Sequence, residues 1–141
     1  MRKLFLILML VLAIGLVACG GGDADDAGTS TDSSIGDAKH GEELFASPTI
    51  GAASAPGCIT CHSLEPGVVI VGPSQADLAD RAASRVPGMT AEQYIRQSIT
   101  EPDAFVVEGF SPGVMYQNYA NELSAKDITD LVAYTLTLHN Q

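Results

Sequence analysis

Cys58-Ile59-Thr60-Cys61-His62 is the stretch on which the reading of this chain turns. Its pattern, C-x-x-C-H, is the attachment signature of a c-type haem. With three Cys and three His in 141 residues, such a pattern arises by chance on the order of once in a thousand chains. On a helical turn, side chains three and four apart share a face. Both thiols can then meet the two vinyl groups of one porphyrin while His62 turns its ring to the iron. A redox C-x-x-C pair or half of a zinc site would use the same residue types, but no second cysteine pair follows. The expected cofactor is therefore one covalent haem c, bound through Cys58 and Cys61 with His62 as an iron ligand.

Far upstream, Met1-Arg2-Lys3 supplies a positive start and residues 4–17 are apolar apart from Gly15, the pattern of an export signal. A membrane-spanning helix needs about 20 apolar residues, and this run ends in Gly20-Gly21-Gly22-Asp23. Its end, Leu16-Val17-Ala18-Cys19, resembles the lipobox of bacterial lipoproteins. That resemblance implies removal of residues 1–18 and acylation of Cys19; the alternative is ordinary cleavage that leaves Cys19 a free thiol. Residues 19–36 read as the acylated cysteine and a flexible tether, since they hold glycine, aspartate, serine and threonine with Ile35 as the one large apolar side chain. Such a leash has an r.m.s. span of roughly 23 Å. Residues 37–141 are left as the single folded domain, expected to be a monomer on the outer, periplasmic or extracytoplasmic, face of a bacterial membrane.

Charge narrows the partners. Without residues 1–18 the chain has five Lys and Arg against seventeen Asp and Glu, a net −12. Nucleic acid is therefore a poor candidate partner, and none is expected. From residue 37 onward the net charge is −8, which favours a partner with a basic or largely apolar site.

Around the haem motif, three further stretches carry a resemblance. Gly36-Asp37-Ala38-Lys39-His40-Gly41-Glu42-Glu43-Leu44-Phe45 precedes it, Val71-Gly72-Pro73 follows it, and a helical pattern closes the chain. Over residues 37–139 these resemble the class I (monohaem) cytochromes c. The resemblance implies an all-α fold in which N- and C-terminal helices cross over a covalently bound haem, with Gly41, Phe45 and Tyr134 at the crossing. It also implies that the Pro73 carbonyl accepts the second ring N–H of His62, a hydrogen bond of the kind that orients an iron-bound histidine. The family commonly has a leucine two residues past this proline. Here Gln75 stands in its place, with Leu78 the next apolar side chain.

Beyond the signal only Met89 and Met115 offer a thioether. Met89 has a structural explanation: Thr90 and Gln93 form a capping box, and Met89 is then placed for a hydrophobic staple to Tyr94. Met115 lies in Gly109-Phe110-Ser111-Pro112-Gly113-Val114-Met115-Tyr116, an irregular loop that helical structure does not explain. The family takes its axial methionine from such a loop, often with a proline next; Met115 fits, with Tyr116 at the proline position. An open sixth position is the alternative.

The remaining pattern is scaffold. Ala38, Gly41, Leu44 and Phe45 share one helical face. A short helical piece is expected over residues 75–84 and a helix over residues 90–100, stopped by Glu101-Pro102. The last helix starts at Ser124, with Leu123 and Ile128 as a staple, and runs to about His139. Its buried face is Ile128, Leu131, Val132, Thr135 and Leu138, with Asp127 and Asp130 on the wet side. Residues 68–71 form the one β-like run, without a partner strand. His40 and His139 read as helix-end or solvated histidines, and Arg81 and Arg85 as surface arginines that could also meet haem propionates. Tyr94, Tyr116, Asn118 and Tyr119 could each line a haem pocket.

An iron ligated by both His62 and Met115 has no vacant position, so the expected function is single-electron transfer between membrane respiratory or photosynthetic complexes, not enzymatic turnover. The chain is also similar to cytochrome c domains fused to some bacterial terminal oxidase subunits, without their copper-binding part. The alternatives are a fixed haem subunit of a respiratory complex and a haem-based ligand sensor or enzyme with a labile sixth ligand.

Overall fold

Asp37 starts the first helix, α1 (Ala38–Ala46), by accepting hydrogen bonds from the Lys39 and His40 N–H groups, two of the donors that a helix start leaves unpaired. The computed structural model describes residues 35–140, so the expected signal segment, the acylation site Cys19 and the tether as far as residue 34 lie outside the described residues. Within them no helix is long and apolar enough to cross a membrane.

After α1 come strands β1 (Thr49–Ile50) and β2 (Ala55–Pro56), a 3₁₀ turn at Cys58–Thr60, helix α2 (Leu78–Arg81) and a 3₁₀ turn at Ala82–Ser84. Helix α3 (Ala91–Thr100), a 3₁₀ turn at Pro102–Ala104, and helices α4 (Tyr119–Glu122) and α5 (Ala125–Thr135) complete the order. Both longer helices begin with reciprocal capping boxes, Thr90 with Gln93 and Ser124 with Asp127. Helix α5 stops at Thr135, one turn short of the expected end, where Leu136 caps it and Thr137 turns back onto the Tyr134 carbonyl.

The all-α, class I cytochrome c fold class expected from the resemblance is corrected here. Strands β1 and β2 pair antiparallel, with Thr49 opposite Pro56 and Ile50 opposite Ala55, so the domain is mixed, helices with a small two-stranded sheet. The hairpin forms because Gly51 and Ser54 both take left-handed backbone angles, φ +76° and +58°. Its turn is also held from outside: Ala52 N–H donates to the Glu122 carbonyl and Ala53 N–H to the Glu122 carboxylate. The β-like residues 68–71 form no strand and join no sheet; Val69 makes one isolated antiparallel bridge to His62.

Helix α5 is the axis of the core. Phe45, Ile50, Tyr119, Leu123, Ile128 and Leu131 pack on one side, and Ala82, Tyr94 and Ile95 gather around Val132 on the other. Met89 joins that second cluster, and so does Ile35, the apolar residue of the expected tether. Helices α1 and α5 cross at Gly41, where an added Cβ would overlap the Asp130 carbonyl oxygen and lie 2.8 Å from Tyr134 Cβ. The Phe45 and Tyr134 rings meet beside it, centroids 5.4 Å apart.

Because α1 lies on the side of α5 that periodicity assigned to water, Asp130 is 2% exposed. Burial alone would raise its carboxyl. It accepts instead from Lys126 Nζ, from His40 Nδ1 at 2.7 Å and from Asp37 N–H at 2.9 Å, which hold it at about 2.

Candidate functional site: a cavity at the C-x-x-C-H turn

The Cys58–His62 segment is wound into one tight turn. Cys61 N–H and His62 N–H both donate to the Cys58 carbonyl, at 3.1 and 2.9 Å, and Thr60 donates through its N–H and its hydroxyl to the Gly57 carbonyl. Gly57 is required there, since a Cβ would run into the Ser47 carbonyl oxygen. Val71 and Gly72 N–H groups donate back to the Cys61 carbonyl, which folds residues 71–73 beside the His62 ring. A Cβ at Gly72 would overlap that ring at Cε1.

His62 Nδ1–H donates to the Pro73 carbonyl at 2.8 Å. A carbonyl can only accept, so the proton sits on Nδ1 and the Nε2 lone pair is left for another partner. Burial holds His62 below the ordinary imidazole range, offset in part by the Pro73 hydrogen bond, so the ring is neutral at pH 7. The Gln75 carboxamide reaches the same place, 2.8 Å from His62 Nδ1 and 3.3 Å from the Pro73 oxygen.

The turn opens onto a cavity of about 600 Å³, within the range of cofactor sites. Cys58, Cys61, His62, Pro73 and Met115 all border it, drawn from three separate stretches of chain. Tyr94, Tyr116, Asn118 and Tyr119 line it as well, and so does Leu78. Met89 is not among the lining residues; it is packed in the core. The two thiols are free and partly buried, and burial pushes the Cys58 thiol up to about 11. A redox C-x-x-C pair needs a depressed thiol instead. Among the described residues no three His, Cys, Asp or Glu side chains converge to hold a metal ion unaided.

Met115 sits in an irregular loop that is braced from two sides. Asp103 accepts from Gly113 N–H through both carboxylate oxygens, at 2.8 and 3.1 Å, and from Gln117 Nε2 at 3.2 Å, while Gln117 also donates to the Met115 carbonyl at 2.7 Å. On the other side the Tyr116 hydroxyl donates to Glu122 at 2.8 Å and its ring meets Tyr119 edge-on, centroids 5.0 Å apart. The Tyr116 hydroxyl and Ala53 N–H hold the Glu122 carboxyl below its usual range. Tyr116 thus ties the loop to α4 and to the hairpin, a tether of a different kind from the proline the family resemblance suggested. Tyr119 donates to the Pro56 carbonyl at 2.6 Å, and burial pushes its phenol well up.

Two arginines complete the lining. Arg81 pairs with Asp77 and donates to the Ser74 carbonyl. The Arg85 Nε is buried with no hydrogen-bond partner among the described residues. Such an orphan donor is costly, and a carboxylate within the cavity would satisfy it. A bulky, largely apolar group carrying carboxylates, with two positions for thioether bonds and one for a nitrogen ligand, fits these residues; a haem is such a group. His40 and His139 lie elsewhere, paired with Asp130 and Asp80 respectively. The sequence offered no signal for Asp103 or Glu122; Arg85, Gln75 and Tyr116 were legible there as candidates, and the structure adds that Arg85 Nε is the unpartnered donor.

Comparison with protein-family models gives no match, and neither does comparison with curated proteins.

Proposed function

We propose that the chain is a monohaem c-type electron carrier, anchored through acylated Cys19 outside the cytoplasm and exchanging single electrons with membrane complexes. The observation that carries this reading is the meeting of Cys58, Cys61, His62 and Met115 at one cavity, with His62 Nδ1 committed to Pro73 and its Nε2 lone pair free. A bound haem supplies the one-electron couple. The chain's own residues would bind it through the two thiols, offer His62 nitrogen and Met115 sulfur to the iron, and surround it with Tyr94, Leu78 and Tyr119. Arg85 Nε is available to a propionate. Val69, Ile70, Val71 and Val114 remain exposed, and Val71 and Val114 also border the cavity. An uncharged rim of this kind supports electron exchange with a partner whose contact site is largely apolar.

The test is the visible spectrum of the reduced, haem-loaded protein with and without carbon monoxide. An unchanged spectrum supports a closed sixth position and an electron carrier. Met115→Ala is then expected to open that position and to give a carbon monoxide-shifted spectrum. A shift in the wild-type protein would overturn the carrier reading in favour of a ligand sensor.

The bracing of the loop gives a graded version of the same test. Asp103→Ala removes three acceptor contacts that hold residues 113–117. Charge-assisted bonds of this kind contribute roughly 1.5–3 kcal/mol, so Asp103→Ala is expected to populate the open sixth position about tenfold more often than wild type while leaving the methionine in the chain, read as a carbon monoxide shift at concentrations that leave the wild-type spectrum unchanged. A variant spectrum that also stays unchanged at those concentrations would remove Asp103 from any role in holding Met115.

A further inference from the structure

Gln75 and Pro73 compete for one ring nitrogen. Gln75 Nε2 stands 2.8 Å from His62 Nδ1, where the Pro73 carbonyl oxygen also lies at 2.8 Å. Nδ1 cannot donate to the carbonyl and accept from the amide at once. One resolution removes the Nδ1 proton, which leaves the carbonyl oxygen facing a nitrogen lone pair at 2.8 Å. The other keeps the proton and turns the carboxamide over, so that Oε1 replaces Nε2. A metal on Nε2 leaves only the second, because a neutral imidazole ligated there carries its one proton on Nδ1. The turn gives up the 3.3 Å contact from Gln75 Nε2 to the Pro73 oxygen and leaves two acceptor oxygens at that separation, held together by the one N–H they share.

We propose that Gln75 is a positioning residue that gives His62 Nδ1–H a second acceptor, its side-chain oxygen, beside the Pro73 carbonyl. This inference rests on the haem reading above and deepens it. Two acceptors on one N–H draw the proton from the ring more strongly than one, and a histidine so treated is a more basic ligand. A more basic ligand favours ferric over ferrous iron, so Gln75 lowers the reduction potential below the value that Pro73 alone would set. The backbone is independent of the effect, since Gln75 N–H donates to the Ser63 carbonyl at 2.8 Å whatever the side chain.

The experiment is a spectroelectrochemical titration of the haem-loaded full chain as wild type, Gln75→Leu and Gln75→Glu, together with the proton resonance of His62 Nδ1–H in the reduced form. Gln75→Leu is expected to move the reduction equilibrium about tenfold toward the ferrous state, about 59 mV for one electron, and to shift the Nδ1–H resonance upfield. Gln75→Glu, which keeps the shape and strengthens the acceptor, is expected to move both in the opposite direction, and it covers the case in which the leucine variant fails to fold. Potentials that do not move overturn the proposal. So does a potential that moves while the Nδ1–H resonance stays, because that is the signature of altered polarity near the cavity and not of a lost acceptor. A wild-type chain that takes up no covalent haem overturns the underlying function reading, and is recognised before any potential is measured.

Discussion

Gly41→Ala is expected to destabilise the domain by about 3 kcal/mol or more, seen as a fall of roughly 12–24 °C in Tm for a domain of this size. In an isolated helix the same change would stabilise by about 1 kcal/mol, because alanine loses less backbone entropy than glycine. Here the packing term wins. The new Cβ would overlap the Asp130 carbonyl oxygen and approach Tyr134 Cβ to 2.8 Å. Neither obstacle is the free end of a flexible side chain, so α1 must lift from α5. Lifting it also separates the Phe45 and Tyr134 rings. Thermal unfolding followed by circular dichroism decides the matter: an alanine variant as stable as wild type would mean that the helices do not approach this closely.

Acid should find the second weak point at the same crossing. The Asp130 carboxyl stands at about 2 in the fold against an ordinary value of 3.8, with burial opposing and Lys126, His40 and Asp37 N–H together prevailing. A carboxyl lowered by folding stabilises the native state above its ordinary value, and that contribution fades as pH falls toward the folded-state value. The expected loss therefore runs from about pH 4 down to about pH 2. Asp130→Ala, which leaves Asp37 N–H without its acceptor and the Lys126 and His40 side chains without theirs, is expected to cost about 3 kcal/mol at neutral pH. Asp130→Asn keeps an oxygen for Asp37 N–H and should cost less, about 1 kcal/mol, while flattening the acid dependence. Urea unfolding at several pH values separates the outcomes. If wild type and Asp130→Asn lost stability in parallel between pH 4 and pH 2, Asp130 would not be the group responsible.

The contrast between Asp127 and Asp130 illustrates how far the chain can be read without its fold. Asp127 stands three residues past the N-cap Ser124 and Asp130 six past it, and both look solvent-facing by period. Asp127 closes a capping box with Ser124, a local arrangement that any helix beginning Ser-x-x-Asp can form. Asp130 is buried because another helix, started some ninety residues earlier, comes to rest on it; its bond to Asp37 N–H spans 93 residues. The hairpin escaped notice for a related reason. Two-residue strands carry no alternation to detect, and the turn between them is held by Glu122, 69 residues beyond Ala53. At the cavity, His62 and its flanking thiols were legible as a motif. The orphan donor of Arg85 was not, since a residue's lack of partners is a property of its surroundings.

Short-range chemistry thus wrote the starts of α1, α3 and α5, through Asp37, Thr90 with Gln93, and Ser124 with Asp127, and it wrote the tight turn that presents Cys58, Cys61 and His62. The three caps are each complete within four residues and the turn within six, so the order of amino acids is enough to specify them. The fold alone decided which side of α5 is dry, which carboxylate braces the Met115 loop and which amide reaches His62 Nδ1. Those outcomes join groups 10 to 93 residues apart. Their energies exist only once the helices have packed, when burial removes water as the competing partner and a single carbonyl, amide or carboxylate is left to satisfy each donor.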